Sequence, residues 1–209
     1  LKLETYSVDL SPVLAPFLDA PLAPAQQAQL QACLDLLLRW NARVNLTAVR
    51  RPEYIVSRHF GESLFAARHL LPAAHLLDFG SGAGFPGLPM KIFAPALRLT
   101  LIESRHKKAA FLREVVRALA LRDVEVFSDR AERFPATADL VTLRAVENFE
   151  RSLPDAARLV SPAGRLALLI GQNQVSAATR LLPLFRWSSP VLIPQSRSRV
   201  LLAGQEPSQ

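Results

Sequence analysis

Sulfur is scarce in this chain of 209 residues: it has one methionine and one cysteine. With Cys33 alone, neither an internal disulfide nor a cysteine metal cluster can form, which fits a reducing, cytoplasmic setting better than secretion. The four histidines, His59, His69, His75 and His106, fall at no metal-ligand spacing, so no metal is expected. Long apolar runs are missing too. Half of the residues are hydrophobic (50%), yet no uninterrupted run approaches the ~20 residues of a membrane-crossing helix, so no membrane partner is expected. The opening "LKLETYSVDLSPVL" has early acidic residues and no small-residue cleavage pattern, unlike a secretory signal, and the absence of Met at position 1 suggests a trimmed start. Lysine is nearly absent. The formal charge of +7 is therefore carried almost entirely by arginine, which grips phosphate through a planar fork and keeps its charge at working pH. A polyanionic partner and a GC-rich genome explain that excess equally well.

Residues 1–24 are rich in proline and hold no period, which reads as an irregular lead-in. From Ala25 to Val44 the apolar residues Leu30, Cys33, Leu34, Leu37 and Leu38 recur at three and four, the stripe of an amphipathic helix with Cys33 in the core. A second helical stretch runs from His59 to Leu71. At His75 the texture changes to short apolar runs alternating with amphipathic ones, the signature of a parallel sheet wrapped by helices. Strands are expected at Leu76–Phe79, Leu97–Ile102, Val124–Phe127, Leu140–Leu143 and Arg165–Ile170, with helices at Pro86–Phe93, His106–Leu119 and Phe149–Leu159. The stretch "FRWSSPVLIPQSRSRVLLAG" predicts a closing antiparallel hairpin. The expected organisation is a helical cap over 1–71 and an α/β core over 72–209.

The first strand runs into "DFGSGAGFPGLPM", where Gly82, Gly84 and Gly87 match the dinucleotide fingerprint and Gly80 precedes them. Such glycines serve any nucleotide-like ligand. Asp78 separates the readings: ending the strand, its carboxylate is expected to face the ligand, repelling a pyrophosphate and attracting the sulfonium and ammonium of S-adenosylmethionine. Glu103 ends the second strand, about twenty residues on, where a carboxylate accepts hydrogen bonds from ribose hydroxyls. In "SDRAERF" the amides of Ala131 and Glu132 are placed to read a base edge, with Arg130 anchoring the loop.

"WNARVNLTAVR", "RHFGES", "DFGSGAGFPGLPM", "LIESRHKKAAFL", "DRAERF" and "LRAV" occur in that order between Trp40 and Val146. Together they resemble the bacterial ribosomal RNA small-subunit methyltransferase G family. The resemblance implies a class I, Rossmann-like fold with a mostly parallel seven-stranded sheet, a C-terminal antiparallel hairpin and an N-terminal helical extension. It also implies S-adenosylmethionine-dependent methylation of N7 of a guanine in 16S ribosomal RNA, met within the small subunit or an assembly intermediate. Carried over by motif, the cofactor contacts are Gly80, Phe85, Ala131, Glu132 and Arg144, to which the reading of the residues adds Asp78, Ser81, Gly82, Glu103 and Arg130. Arg144 is also the candidate catalytic residue. Leu143, Ile170 and Glu62 stand where the family more often has Ser or Thr, Lys, and Asp.

The chemistry agrees with this implication. Guanine N7 has an in-plane lone pair and no proton, so its methylation needs alignment and no general base. Cytosine C5 methylation needs a cysteine near the fourth strand, and Cys33 lies elsewhere; amino-group methylation of adenine favours a Pro-Pro-aromatic motif where this chain reads "TLRAVENF". For RNA, Arg50, Arg51, Arg58 and Arg68 are expected to rim the cofactor pocket, whereas Arg113 and Arg117 read as a solvated helix face and Arg105, Lys107 and Lys108 as further phosphate contacts. A methyltransferase for another RNA or a small molecule, an NAD-dependent oxidoreductase and a non-catalytic RNA-binding factor are the alternatives.

Overall fold

The computed structural model describes residues 8–146 and 148–206. The expected lead-in over 1–7 and the last three positions of the core region lie outside the described residues. The N-terminal region contains α1 (Leu10–Leu14), a 3₁₀ turn (Ala15–Phe17), α2 (Pro24–Asn41), α3 (Pro52–Ile55) and α4 (Glu62–Leu70). A π-helical stretch, Val56–Gly61, joins the last two into one continuous helix.

Two expectations are corrected here. The lead-in is helical over residues 10–17 and irregular over 18–23: Asp9 caps α1 by accepting the Ser11 N–H, and Leu10, Leu14 and Phe17 are buried. The second helix begins at Pro52, seven residues before the predicted start. Proline fits there because the first turn has no use for its missing N–H.

The core alternates β1 (His75–Phe79), α5 (Gly87–Phe93), β2 (Arg98–Ile102), α6 (His106–Ala118), β3 (Val124–Phe127), β4 (Ala138–Arg144), α7 (Phe149–Ala157), β5 (Val160–Gly171), α8 (Val175–Leu181), β6 (Arg186–Trp187), β7 (Val191–Leu192) and β8 (Arg199–Gln205). The sheet order is β3-β2-β1-β4-β5-β8-β6, with β7 also on β8. β1 to β5 pair in parallel and β8 runs antiparallel to β5. Both β6 and β7 pair with β8, at Trp187↔Gly204 and Val191↔Leu201, so together they fill the seventh place as one interrupted strand. The closing hairpin is as expected, with that interruption and with α8 ahead of it.

Side-chain alternation sorts the strands onto two cores. Leu76, Leu99, Leu101 and Leu140 pack with α5, α6 and the N-terminal helices, while Leu77, Phe79, Val141 and Leu143 pack under α7 and α8. Both faces are covered, as parallel sheets require. Strand order reverses at β1, between β2 and β4, and that switch point opens a crevice at the strands' carboxyl ends.

Candidate active site

At the end of β1, Asp78 shares a face with Leu76 and so points toward α5. It is completely buried: Oδ1 accepts from Thr142 Oγ1 (2.9 Å) and Oδ2 from the Gly87 N–H at the start of α5 (3.2 Å). Burial pushes the carboxyl up to about 6, against the downward pull of those hydrogen bonds. A Cβ on Gly87 would sit 2.9 Å from Asp78 Oδ2 and 2.8 Å from Leu101 Cδ2, so glycine is what allows this approach. The expectation that Asp78 faces the ligand is therefore corrected, because its carboxylate lies under the loop as a tether. It still argues against a dinucleotide. A pyrophosphate would sit on the helix N-terminus, and here that terminus already holds a carboxylate.

Above the tether, Gly80 and Gly82 turn with φ of +67° and +57°, which brings bare backbone to the crevice. Ser81 is buried, its Oγ donating to the Asp78 carbonyl (2.8 Å). Glu103, at the end of β2, accepts the Gly82 N–H on Oε2 (3.0 Å) and the Arg105 N–H on Oε1 (2.7 Å). Two cavities of about 340 Å³ and 310 Å³ meet here and share Phe79, Gly80 and Glu103 in their walls. The first continues along Ser81, Gly82 and Phe85 to His59 and Arg144; the second runs past Arg130, Ala131 and Glu132. The structure thus brings all the predicted site residues except Asp78 into the walls of one trough. Arg130 lines it without anchoring the loop: Asp129 ties that turn, taking the Arg130 N–H (2.7 Å) and the Arg133 guanidinium (3.1 Å).

Arg144, last in β4, is held by the π-helical segment. Its Nη2 lies 2.8 Å from the Arg58 carbonyl, 3.0 Å from His59 Nδ1 and 3.0 Å from Glu62 Oε2. Arginine only donates, so Nδ1 is the bare nitrogen of His59 and Nε2–H donates to Thr47 Oγ1 (2.8 Å). Burial, followed by the charges of Arg144, Arg58 and Arg199, lowers the imidazole to about 3. His59 is neutral, with both nitrogens engaged, and it stacks on Phe85 at 4.9 Å between centroids. Glu62 is 1% exposed and also binds Arg199 Nε (2.6 Å), so one carboxylate serves two guanidinium groups. Arg199 went unnoticed in the sequence, since it lies 55 positions beyond Arg144 and only the pairing of β8 with β5 returns it to the site.

Of the N-terminal arginines, only Arg58 lines the trough. Arg68 pairs with Asp19, Arg50 bonds Asn45 Oδ1 (3.0 Å) and Arg51 lies exposed beside Glu53, so three of the four expected rim residues stand away from the trough. Arg105 and Lys108 do line it. Among the described residues no cluster of His, Cys, Asp and Glu could hold a metal, and no helix is long and apolar enough to cross a membrane.

Comparison with known proteins fits this geometry. The family described as rRNA small subunit methyltransferase G (GidB) matches residues 26–181. The chain is 40% identical over 154 residues to the ribosomal RNA small subunit methyltransferase G of Myxococcus xanthus, covering 71% of each chain. It is 40% identical over 196 residues to that of Chloroflexus aggregans, covering 87% of this chain and 82% of that one. Among solved structures, an S-adenosylmethionine-dependent methyltransferase from Aquifex aeolicus is similar at a TM-score of 0.63 and 16% identity, over 78% of this chain and 97% of that one. The N-methyltransferase NodS from Bradyrhizobium japonicum is similar at 0.57 and 15%, over 71% and 94%. These two likenesses concern the fold.

Proposed function

The chain belongs to the rRNA small subunit methyltransferase G family, and from that premise we propose that it transfers the methyl group of S-adenosylmethionine to N7 of a guanine in 16S ribosomal RNA. One observation carries the choice of N7. Among the described residues on the Arg144 side of the trough no base is free: His59 Nδ1 is taken by Arg144, Nε2 by Thr47, and Asp78 is sealed beneath the loop. A nucleophile that must lose a proton is poorly served there. Guanine N7, with its lone pair and no proton, needs only to be held in line.

The residues fit the cofactor. Bound S-adenosylmethionine supplies a methyl group on a positively charged sulfur. Glu103 keeps acceptor capacity beyond its two backbone bonds and is the receptor for ribose hydroxyls. The turn at Ala131 and Glu132 offers main-chain groups to the adenine edge, with Arg130 along the wall. Gly80, Ser81, Gly82 and Phe85 take the methionine end, where Phe85 is fixed by His59 and Phe60. Arg144 is the catalytic residue of this reading. Its Nε and Nη1 have no hydrogen-bond partner among the described residues and are free to donate to guanine O6, while Glu62 offsets its charge as the purine becomes cationic.

The RNA is met in the small subunit or an assembly intermediate, in the cytoplasm. The test supplies labelled S-adenosylmethionine with naked 16S RNA and with small subunits lacking the modification. Label should enter a guanine that gives the strand cleavage typical of N7-methylguanine after borohydride and aniline. Active enzyme that labels neither substrate, or labels another atom, overturns the reading.

A further inference from the structure

A third cavity, about 140 Å³, adjoins the trough and shares Arg58, Arg144, Ala145 and Val146 with it. Its wall also holds Glu62 and Arg199, and Gly171 and Gln174 close its far end. Three guanidinium groups thus surround one carboxylate, a net charge of +2 among the described residues lining it. Glu62 is committed to Arg144 (3.0 Å) and to Arg199 Nε (2.6 Å). That leaves both Nη atoms of Arg199, and the whole guanidinium of Arg58, without a hydrogen-bond partner among the described residues. The carboxylate therefore works as an organiser. It fixes two of the arginines and does not neutralise the set.

Two parts of an RNA nucleotide have the size for such a cavity, the base and the phosphate. The charge decides between them. N7-methylguanine is a cation, and a pocket of net charge +2 would repel the base as the reaction proceeds. A phosphodiester carries the opposite charge, and its oxygens match the arginine fork. Building on the guanine-N7 reading above, we propose that this cavity binds a phosphodiester next to the methylated nucleotide, through Arg58 and Arg199. The base then lies on the trough side of Arg144 and its phosphate on the other, so the two cavities fix both ends of one nucleotide.

The test begins with the wild-type enzyme and the RNA segment to which the labelled methyl maps. Synthetic RNAs covering it carry a single uncharged methylphosphonate at each linkage in turn, and binding is measured across a salt series. One linkage within two nucleotides of the guanine should weaken wild-type binding about tenfold when neutralised, with the log Kd against log salt slope falling by about 1. Arg58→Gln should show a loss with unmodified RNA and respond several-fold less than wild type to that linkage, since Arg199 remains. Arg58 is exposed, and its side chain makes no hydrogen bond or ion pair among the described residues, so the fold should survive its loss. Because Arg58 also lines the trough, S-adenosylmethionine binding is followed by calorimetry in parallel, and the loss of RNA binding should exceed any loss of cofactor binding. Arg117→Gln, outside the cavity on α6, should respond to every linkage as wild type does. If Arg58→Gln and wild type respond alike at all linkages, the phosphate site is wrong. Failure of the methyl-transfer reading would already have appeared as unlabelled RNA with the wild-type enzyme.

Discussion

A buried carboxylate with no salt bridge needs a reason to stay, and at Asp78 the reason is geometric. Its two oxygens join β1 to β4 through Thr142 and to α5 through Gly87, which sets the height of the glycine loop above the sheet. Because burial raises its folded pKa to about 6 from 3.8, the folded protein binds the proton more tightly than the unfolded chain does. Its contribution therefore favours folding increasingly as pH falls from about 6 to 4, and it costs about 3 kcal/mol once pH exceeds 6. His59 acts in the opposite sense. Its folded pKa of about 3 lies below its ordinary 6.5, so its contribution is full above 6.5 and is lost as pH falls toward 3. Asp78→Asn isolates the first effect, since an amide can accept from Gly87 with its oxygen and donate to Thr142 with its nitrogen. The variant should be at least as stable as wild type at pH 7 by urea denaturation, and should lose stability more steeply between pH 6 and 4. It should also bind S-adenosylmethionine and adenosylhomocysteine, whose sulfur carries no charge, with wild-type affinities. A selective tenfold loss of the sulfonium compound, about 1.4 kcal/mol, would show that the charge reaches the ligand after all.

Among the elements, the π-helical turn does most to build the site. Bonds running from i to i+5 widen the helix by one residue, and such turns recur at functional positions. Here the widening lets the Arg58 carbonyl, His59 and Glu62 all address one nitrogen of Arg144. Gly61 closes the turn against Phe17, and a Cβ there would lie 2.6 Å from two ring carbons of that buried side chain. Gly61→Ala should cost about 1–3 kcal/mol in urea denaturation through overpacking, outweighing the ~1 kcal/mol gained in helix propensity. Phe17→Leu in the same chain should recover part of that loss. What the sequence concealed is the start of this helix. Between Pro52 and Arg58 only the adjacent Ile55 and Val56 are buried, two positions that show no period, and the helical run Val56, Phe60, Leu64 begins only there. The parallel strands were legible because each is a short apolar run between turns, and β3 falls on its predicted bounds of Val124–Phe127. The direction of Asp78 was hidden for the same reason: Leu76 to Phe79 are all buried, so no alternation distinguishes the face toward α5 from the mouth of the crevice. Glu103 and the Ala131 turn, by contrast, were recognisable because they occur at strand ends, where the fold itself sets the side-chain position.

For the molecule as a whole, the change of texture near residue 72 raises the question of whether the cap and the core are separable. The packing argues that they are one unit, and we propose that the boundary marks two layers of a single cooperative domain. Leu30, Cys33, Leu34 and Leu37 of α2 belong to the same buried cluster as Met90, Ile92, Phe111, Leu112 and Val115 of α5 and α6. Polar contacts cross the same seam: Gln26 Nε2 donates to the carbonyls of Ile92 (3.2 Å) and Phe93 (2.9 Å), and Trp40 Nε1 to Glu114 (3.1 Å). Exposing five core side chains at about 1.5–3 kcal/mol each would forfeit as much as the 5–15 kcal/mol that holds a typical domain together. The seam also supplies chemistry, because among the described residues every acceptor on Arg144 Nη2 comes from residues 58–62. A fragment of residues 72–209 should therefore lack the near-ultraviolet circular dichroism of a packed core, run as an aggregate in gel filtration and fail to bind S-adenosylmethionine. The intact chain should unfold in one transition, with tryptophan fluorescence and far-ultraviolet circular dichroism coinciding. Trp40 reports on the α2–α6 seam and Trp187 on the far edge of the sheet, so single-tryptophan variants can follow the two regions separately. Midpoints that separate, or a folded and cofactor-binding 72–209 fragment, would make the N-terminal layer an independent module, and the orientation of Arg144 would then have to come from the core alone.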